Sequence, residues 1–141
     1  MIEGFYNLLA LFGFHHPIHP ILVHIPMGMV VGAVLFSLVH WKKPGLGLDR
    51  TAFHCIVLSL VFVVPVYIAG LLDWQHVFAG DWNKWIVIKM ILGVVLTGVL
   101  IATVVAQRRG ASHQVLFRFY LVSLAICGGL GFSGGELLYG G

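Results

Sequence analysis

HHPIHPILVHIPMGMVVG, running from His15 to Gly32, is the stretch whose reading decides the fold. Four histidines and three prolines lead into an uninterrupted apolar run. His19 and Pro20 stand where a helix begins, because proline lacks an N–H that the first turn would leave unpaired anyway. His24 follows about one turn later. Pro26 removes the hydrogen bond to the Leu22 carbonyl, which predicts a kink close to His24. Gly28 and Gly32 continue at i+4 spacing, so His24, Gly28 and Gly32 share one face, a ring above two bare patches of backbone. A neighbouring helix or a flat ligand can approach closely there.

The rest of the composition sets this run in a bilayer. Of the 141 residues, 60% are hydrophobic and only 9% charged, with a mean hydropathy of +1.00, which a water-soluble domain does not tolerate. Two cysteines, Cys55 and Cys127, make no disulfide scaffold. On helices rising about 1.5 Å per residue their depths differ by roughly 10 Å, and they read as small apolar packing residues. Residues 1–14 (MIEGFYNLLALFGF) place Glu3 and no cation before their apolar part, unlike a secretory signal, and are too short to span. Residues 1–17 are therefore expected to be a short interfacial segment, with helicity weakened by Gly4 and Gly13, ahead of a transmembrane domain at 18–141.

Four apolar runs reach the roughly 20 residues a span needs, at Ile18–Trp41, Thr51–Trp74, Trp85–Ala106 and Leu116–Leu138. Short connections predict an all-α, up-down four-helix bundle. Six of the eight cations (Lys42, Lys43, Arg50, Arg108, Arg109 and Arg118) flank the first and third connections, against Lys84 and Lys89 near the second. By the positive-inside rule both termini lie outside, in the periplasm of a bacterial inner membrane crossed several times. Trp74, Trp82 and Trp85 mark the outer boundary and Trp41 the inner one.

This arrangement predicts that Asp73, Lys89 and Glu136 form one polar cluster near the outer face. His24 enters the same layer, with His15, His16, His19 and His76 just above it. Ionisable groups in a span are costly and normally face the bundle interior. Snorkelling of Lys89, or its pairing with a carboxylate, accounts for that residue without a ligand. Gly128, Gly131 and Gly135 in the fourth run, and Gly70, Gly93 and Gly98 in the second and third, equally suit close helix packing. At the opposite end His40 and His54 stand at neighbouring helix ends, where solvated roles suffice, and His113 lies in the third connection.

Three motifs carry a resemblance over nearly the whole chain after Phe14: His19-Pro20-Ile21-Leu22-Val23-His24-Ile25-Pro26, then Ala69-Gly70-Leu71-Leu72-Asp73-Trp74, then Gly134-Gly135-Glu136-Leu137-Leu138-Tyr139. The chain resembles a bacterial family of four-helix integral-membrane domains of unknown function with an HP-x-x-VHFP-like opening. It departs from that pattern at Ile25, where phenylalanine is usual, and in Lys84 and Lys89, which occupy the region where relatives carry a third-helix histidine. Some relatives are joined to Rieske-type iron–sulfur domains, so the resemblance implies electron transfer without supplying an activity.

Three functions remain open from the residues. One is a redox subunit holding a noncovalent b-type haem near the outer face, with His24 as axial ligand and His76 or His19 as the second. Gly28, Gly32 and Gly131 would then clear room for the ring and Lys89 would pair a propionate. Another is a copper- or zinc-binding or transport protein using His24, His19, His15 and His76. The last is a cofactor-free assembly or anchoring subunit. In the first two readings His24 is the functional centre, with Asp73 the nearest acceptor for its second N–H. No nucleophile–base–orienter set is recognisable, so an electron-transfer or accessory role is expected ahead of stand-alone catalysis. The bilayer, other membrane or periplasmic redox subunits, or further copies of the chain are the expected partners. The net charge of +3 reflects topology and does not point to nucleic acid.

Overall fold

The computed structural model describes residues 2–13 and 15–140, so residues 1 and 14 of the expected interfacial segment fall outside it. Five α-helices follow one another: α1 (Ile2–Leu11), α2 (His19–Lys42), α3 (Leu48–His76), α4 (Lys84–Arg108) and α5 (His113–Tyr139). No strand occurs among the described residues. The four helices α2 to α5 are each long and apolar enough to cross a membrane. All four expected spans are present: α2 is shifted by one residue, and α3, α4 and α5 are lengthened by a few where polar ends such as Lys84 and His113 continue the helix.

The turns between them form where glycine relieves the backbone. A single 3-10 turn at Pro44–Leu46 ends at Gly47 with φ +62°, and Gly110 takes φ +77° after α4. Ser112 and Asn83 cap α5 and α4 through their side-chain oxygens, accepting from Val115 N and Trp85 N. α1 forms despite Gly4, and Gly13 at φ +76° stops the turn after it.

α2 packs most extensively against α3, and α4 against α5. Small residues make the first contact close: Ala33, Ser37, Ala52 and Ser59 are fully buried. Ser59 Oγ donates to the Pro26 carbonyl at 3.1 Å, tying α3 to the proline region of α2. The helix continues through Pro26. Val30, Ile56, Leu100 and Tyr120 complete the core. Both cysteines are free; Cys127 is buried and Cys55 half-buried against the core, as apolar packing requires.

Candidate cavity at the Asp73 end of the bundle

α2 begins without a capping side chain of its own, since Ile18 occupies the N-cap position. Its first N–H groups turn instead to Asp73, one turn from the end of α3. Ile18 N donates to Asp73 Oδ1 at 3.2 Å and His19 N to Oδ2 at 2.7 Å. The Tyr6 hydroxyl of α1 donates to the same Oδ1. Asp73 is only 3% exposed, so this carboxylate is a cap supplied across helices, placed where the α2 dipole favours negative charge.

Tyr6 also stacks on His76, with ring centroids 3.9 Å apart and planes 8° from parallel. These contacts hold α1 on the bundle, while Leu8, Leu11 and Phe12 on α1 and the turn after it remain exposed. Burial, then the hydrogen bond to Asp73 and that carboxylate's charge, push the Tyr6 phenol well above its ordinary range. A phenol whose pKa is raised in the folded state stabilises docking fully below its unfolded value, about pH 10, and the contribution is lost as pH rises through the higher folded value. A spin label at Leu8 should therefore gain mobility only well above pH 10. In Tyr6→Phe it should be mobile at every pH.

Beneath this cap lies a half-open cavity of about 470 Å³ bounded by α2, α3, α4 and α5. His19, His24, Tyr67, Asp73 and Lys89 are among its polar groups, and Val63, Val66, Leu96 and Leu130 among its apolar walls. Gly70, Gly93, Gly131, Gly134 and Gly135 keep the walls low. The most demanding is Gly70, where a Cβ would stand 2.9 Å from His19 Nδ1 and 3.3 Å from Cε1. At Gly93 a Cβ would come within 3.2 Å of the Tyr67 ring. That ring is fixed because Tyr67 donates to Thr97 Oγ1 at 2.9 Å, while Thr97 donates to the Gly93 carbonyl at 2.9 Å.

The two cavity histidines share one feature. His19 Nδ1 lies 3.1 Å from the Val66 carbonyl, and His24 Nδ1 is hydrogen-bonded to the Pro20 carbonyl one turn back on its own helix. A carbonyl only accepts, so each neutral ring carries its proton on Nδ1 and keeps a lone pair on Nε2. His19 is half-buried and gripped from a second helix. His24 is exposed.

This corrects the expectation that His24 lies inside the bundle and donates to Asp73. A helical side chain leans toward the N-terminus, which brings the His24 ring to Pro20, while three donors already occupy the Asp73 carboxylate. Gly131 borders the cavity as expected, but Gly28 and Gly32 do not. Gly28 faces open space and Gly32 packs near Cys55 Sγ. Asp73 and Lys89 border one cavity without an ion pair, and Glu136 is not among its walls.

The remaining histidines divide between two other places. His15, His16 and His76 line a separate surface cleft of about 270 Å³ with Tyr6 and Asn7. The proposed metal set of His24, His19, His15 and His76 is thus split between cleft and cavity. Among the described residues no three His, Cys, Asp or Glu side chains gather closely enough to hold a metal ion. At the opposite end His40 meets Asp49 at 3.6 Å and lies 4.8 Å, ring to ring, from His113. His113 Nε2 in turn lies 3.0 Å from the buried Ser37 Oγ. His54 is exposed and is not part of this group.

Helix lengths and apolar faces define the class: a four-span integral-membrane protein. The chain belongs to the family described as "Predicted membrane protein (DUF2231)", whose model matches residues 15–140. It is also similar to a UPF0344 protein of Staphylococcus carnosus (strain TM300), at 31% identity over 94 residues, covering 62% of this chain and 70% of that protein. No solved structure matches the chain.

Proposed function

We propose that this protein is a membrane redox subunit that binds a noncovalent b-type haem in the 470 Å³ cavity and passes electrons to or from a partner. The observation that carries the reading is the state of the two imidazoles. A nitrogen that donates to a main-chain carbonyl fixes its ring and raises the basicity of the other nitrogen, as ligand histidines require. The volume falls within the roughly 300–1,000 Å³ of small-molecule sites, and the glycine walls suit a flat ring. Haem supplies one-electron chemistry at its iron when bound. The residues of this chain supply the donor, the dry walls and the orientation.

His19 is the better-placed donor. Its ring is held from α3 by the Val66 carbonyl and the bare face of Gly70, whereas His24 is held only by its own helix. His24 borders the site and sets access to it. The test is the absorption spectrum of protein purified from membranes, oxidised and then reduced. A Soret band that sharpens on reduction, with a visible α-band, supports the reading; a protein lacking both after reconstitution with haem contradicts it.

The cation distribution supports an orientation with the cavity toward the outer face of a bacterial inner membrane. A cysteine introduced at Gly47 should then be labelled by an impermeant reagent only from the cytoplasmic side. Labelling from outside reverses the topology.

A further inference from the structure

The cavity holds one carboxylate, Asp73, and one amine, Lys89, that form no ion pair with each other. Asp73 has both oxygens engaged by Tyr6, Ile18 and His19. Lys89 is half-buried on α4 among apolar neighbours; among the described residues it makes no hydrogen bond and no carboxylate lies within 4.0 Å of its Nζ. The amine rests against α5, where a Cβ on Gly134 would stand 3.7 Å away. An ammonium held in such surroundings is costly unless an anion meets it.

We infer that the cavity takes an anionic amphiphile, with Lys89 Nζ pairing its carboxylate and the apolar walls covering its body. This rests on the cavity being a ligand site, as proposed above, but not on haem being the ligand. Haem propionates and free fatty acids present the same carboxylate beside an apolar body. The half-open shape and the exposed positions of Tyr67, Leu71 and Leu138 along the walls admit either from the acyl region of the bilayer. Deeper residues, Val63 and Leu96, offer nothing polar, and Lys89 is the one Lys or Arg among the described residues of the walls.

The experiment measures binding to the full chain in a neutral detergent, using two matched probe pairs: haem against haem dimethyl ester, and a fluorescent polyene fatty acid against its methyl ester. A charge-assisted hydrogen bond predicts that an acid binds about tenfold or more tightly than its ester. Lys89→Gln should remove that preference, and Lys89→Arg, which keeps the charge, should retain it and show that the bundle is intact. Equal binding of acid and ester, or a preference that survives Lys89→Gln, overturns the inference. Fatty-acid preference without any haem binding would uphold the inference and remove the haem reading. Haem binding with no acid preference in either pair would do the reverse. Failure of all four probes to bind defeats both.

Discussion

Asp73→Ala should cost the bundle about 3–5 kcal/mol, because hydrogen bonds to a charged acceptor contribute roughly 1.5–3 kcal/mol each and several are lost together. Among the described residues the carboxylate is the only side-chain cap at the start of α2: Ile18 N and His19 N reach it, and no side chain of α2 takes its place. Removing it strands both N–H groups at a half-buried helix start, frees the Tyr6 hydroxyl, and leaves the α2 dipole unopposed. Asp73→Asn should recover only part of the loss, since its amide offers one acceptor oxygen and turns an N–H toward donors. Tyr6→Phe removes a single donor and should cost much less. Unfolding in mixed micelles, followed by tryptophan fluorescence, measures all three; an Asp73→Ala variant within about 1 kcal/mol of the parent would refute the capping account.

Gly70→Ala should lower haem affinity roughly 10- to 100-fold, the range for disturbing a group that orients a ligand histidine. The added methyl would stand 2.9 Å from His19 Nδ1. Either the ring leaves the Val66 carbonyl or α2 and α3 move apart at the mouth of the cavity. Gly28→Ala is the matched control, because a Cβ there meets nothing within 4 Å. Haem titrations followed at the Soret maximum distinguish the two. Equal affinities would show that the ring's position does not govern binding.

The four spans were legible because lipid demands long apolar runs, and the turns because Pro44, Gly47 and Gly110 break helices in ways few other residues do. Which side of α2 faces inward was not legible. Val31 and Leu35 are exposed while Val30 and Val34 are buried, and a lipid-facing side chain is as apolar as a core one, so the pattern carries no facing signal. His24 was therefore expected inside, yet His19 holds the half-buried place. One local clue existed: a helix beginning at Ile18-His19-Pro20 has no Ser, Thr, Asp or Asn to cap it, and needs an acceptor from elsewhere. That the acceptor is Asp73, 54 residues from His19, depends on tertiary packing, as do the Tyr6 hydrogen bond and the fit of His19 against Gly70. Lys89 was legible as an anomaly, an amine in an apolar run. Its lack of a carboxylate partner emerges only once Asp73 is seen to be occupied.

His19 is the residue on which haem binding should depend most directly. Haem content and Soret absorbance should be measured on parent protein, His19→Ala, His24→Ala and His113→Ala, all purified and reconstituted alike. His19→Ala should lose the cofactor while its four helices still insert, His24→Ala should bind it more weakly, and His113→Ala, at the far end beside Ser37, should match the parent. A His19→Ala protein that carries a full complement of haem with an unshifted Soret band would contradict the account.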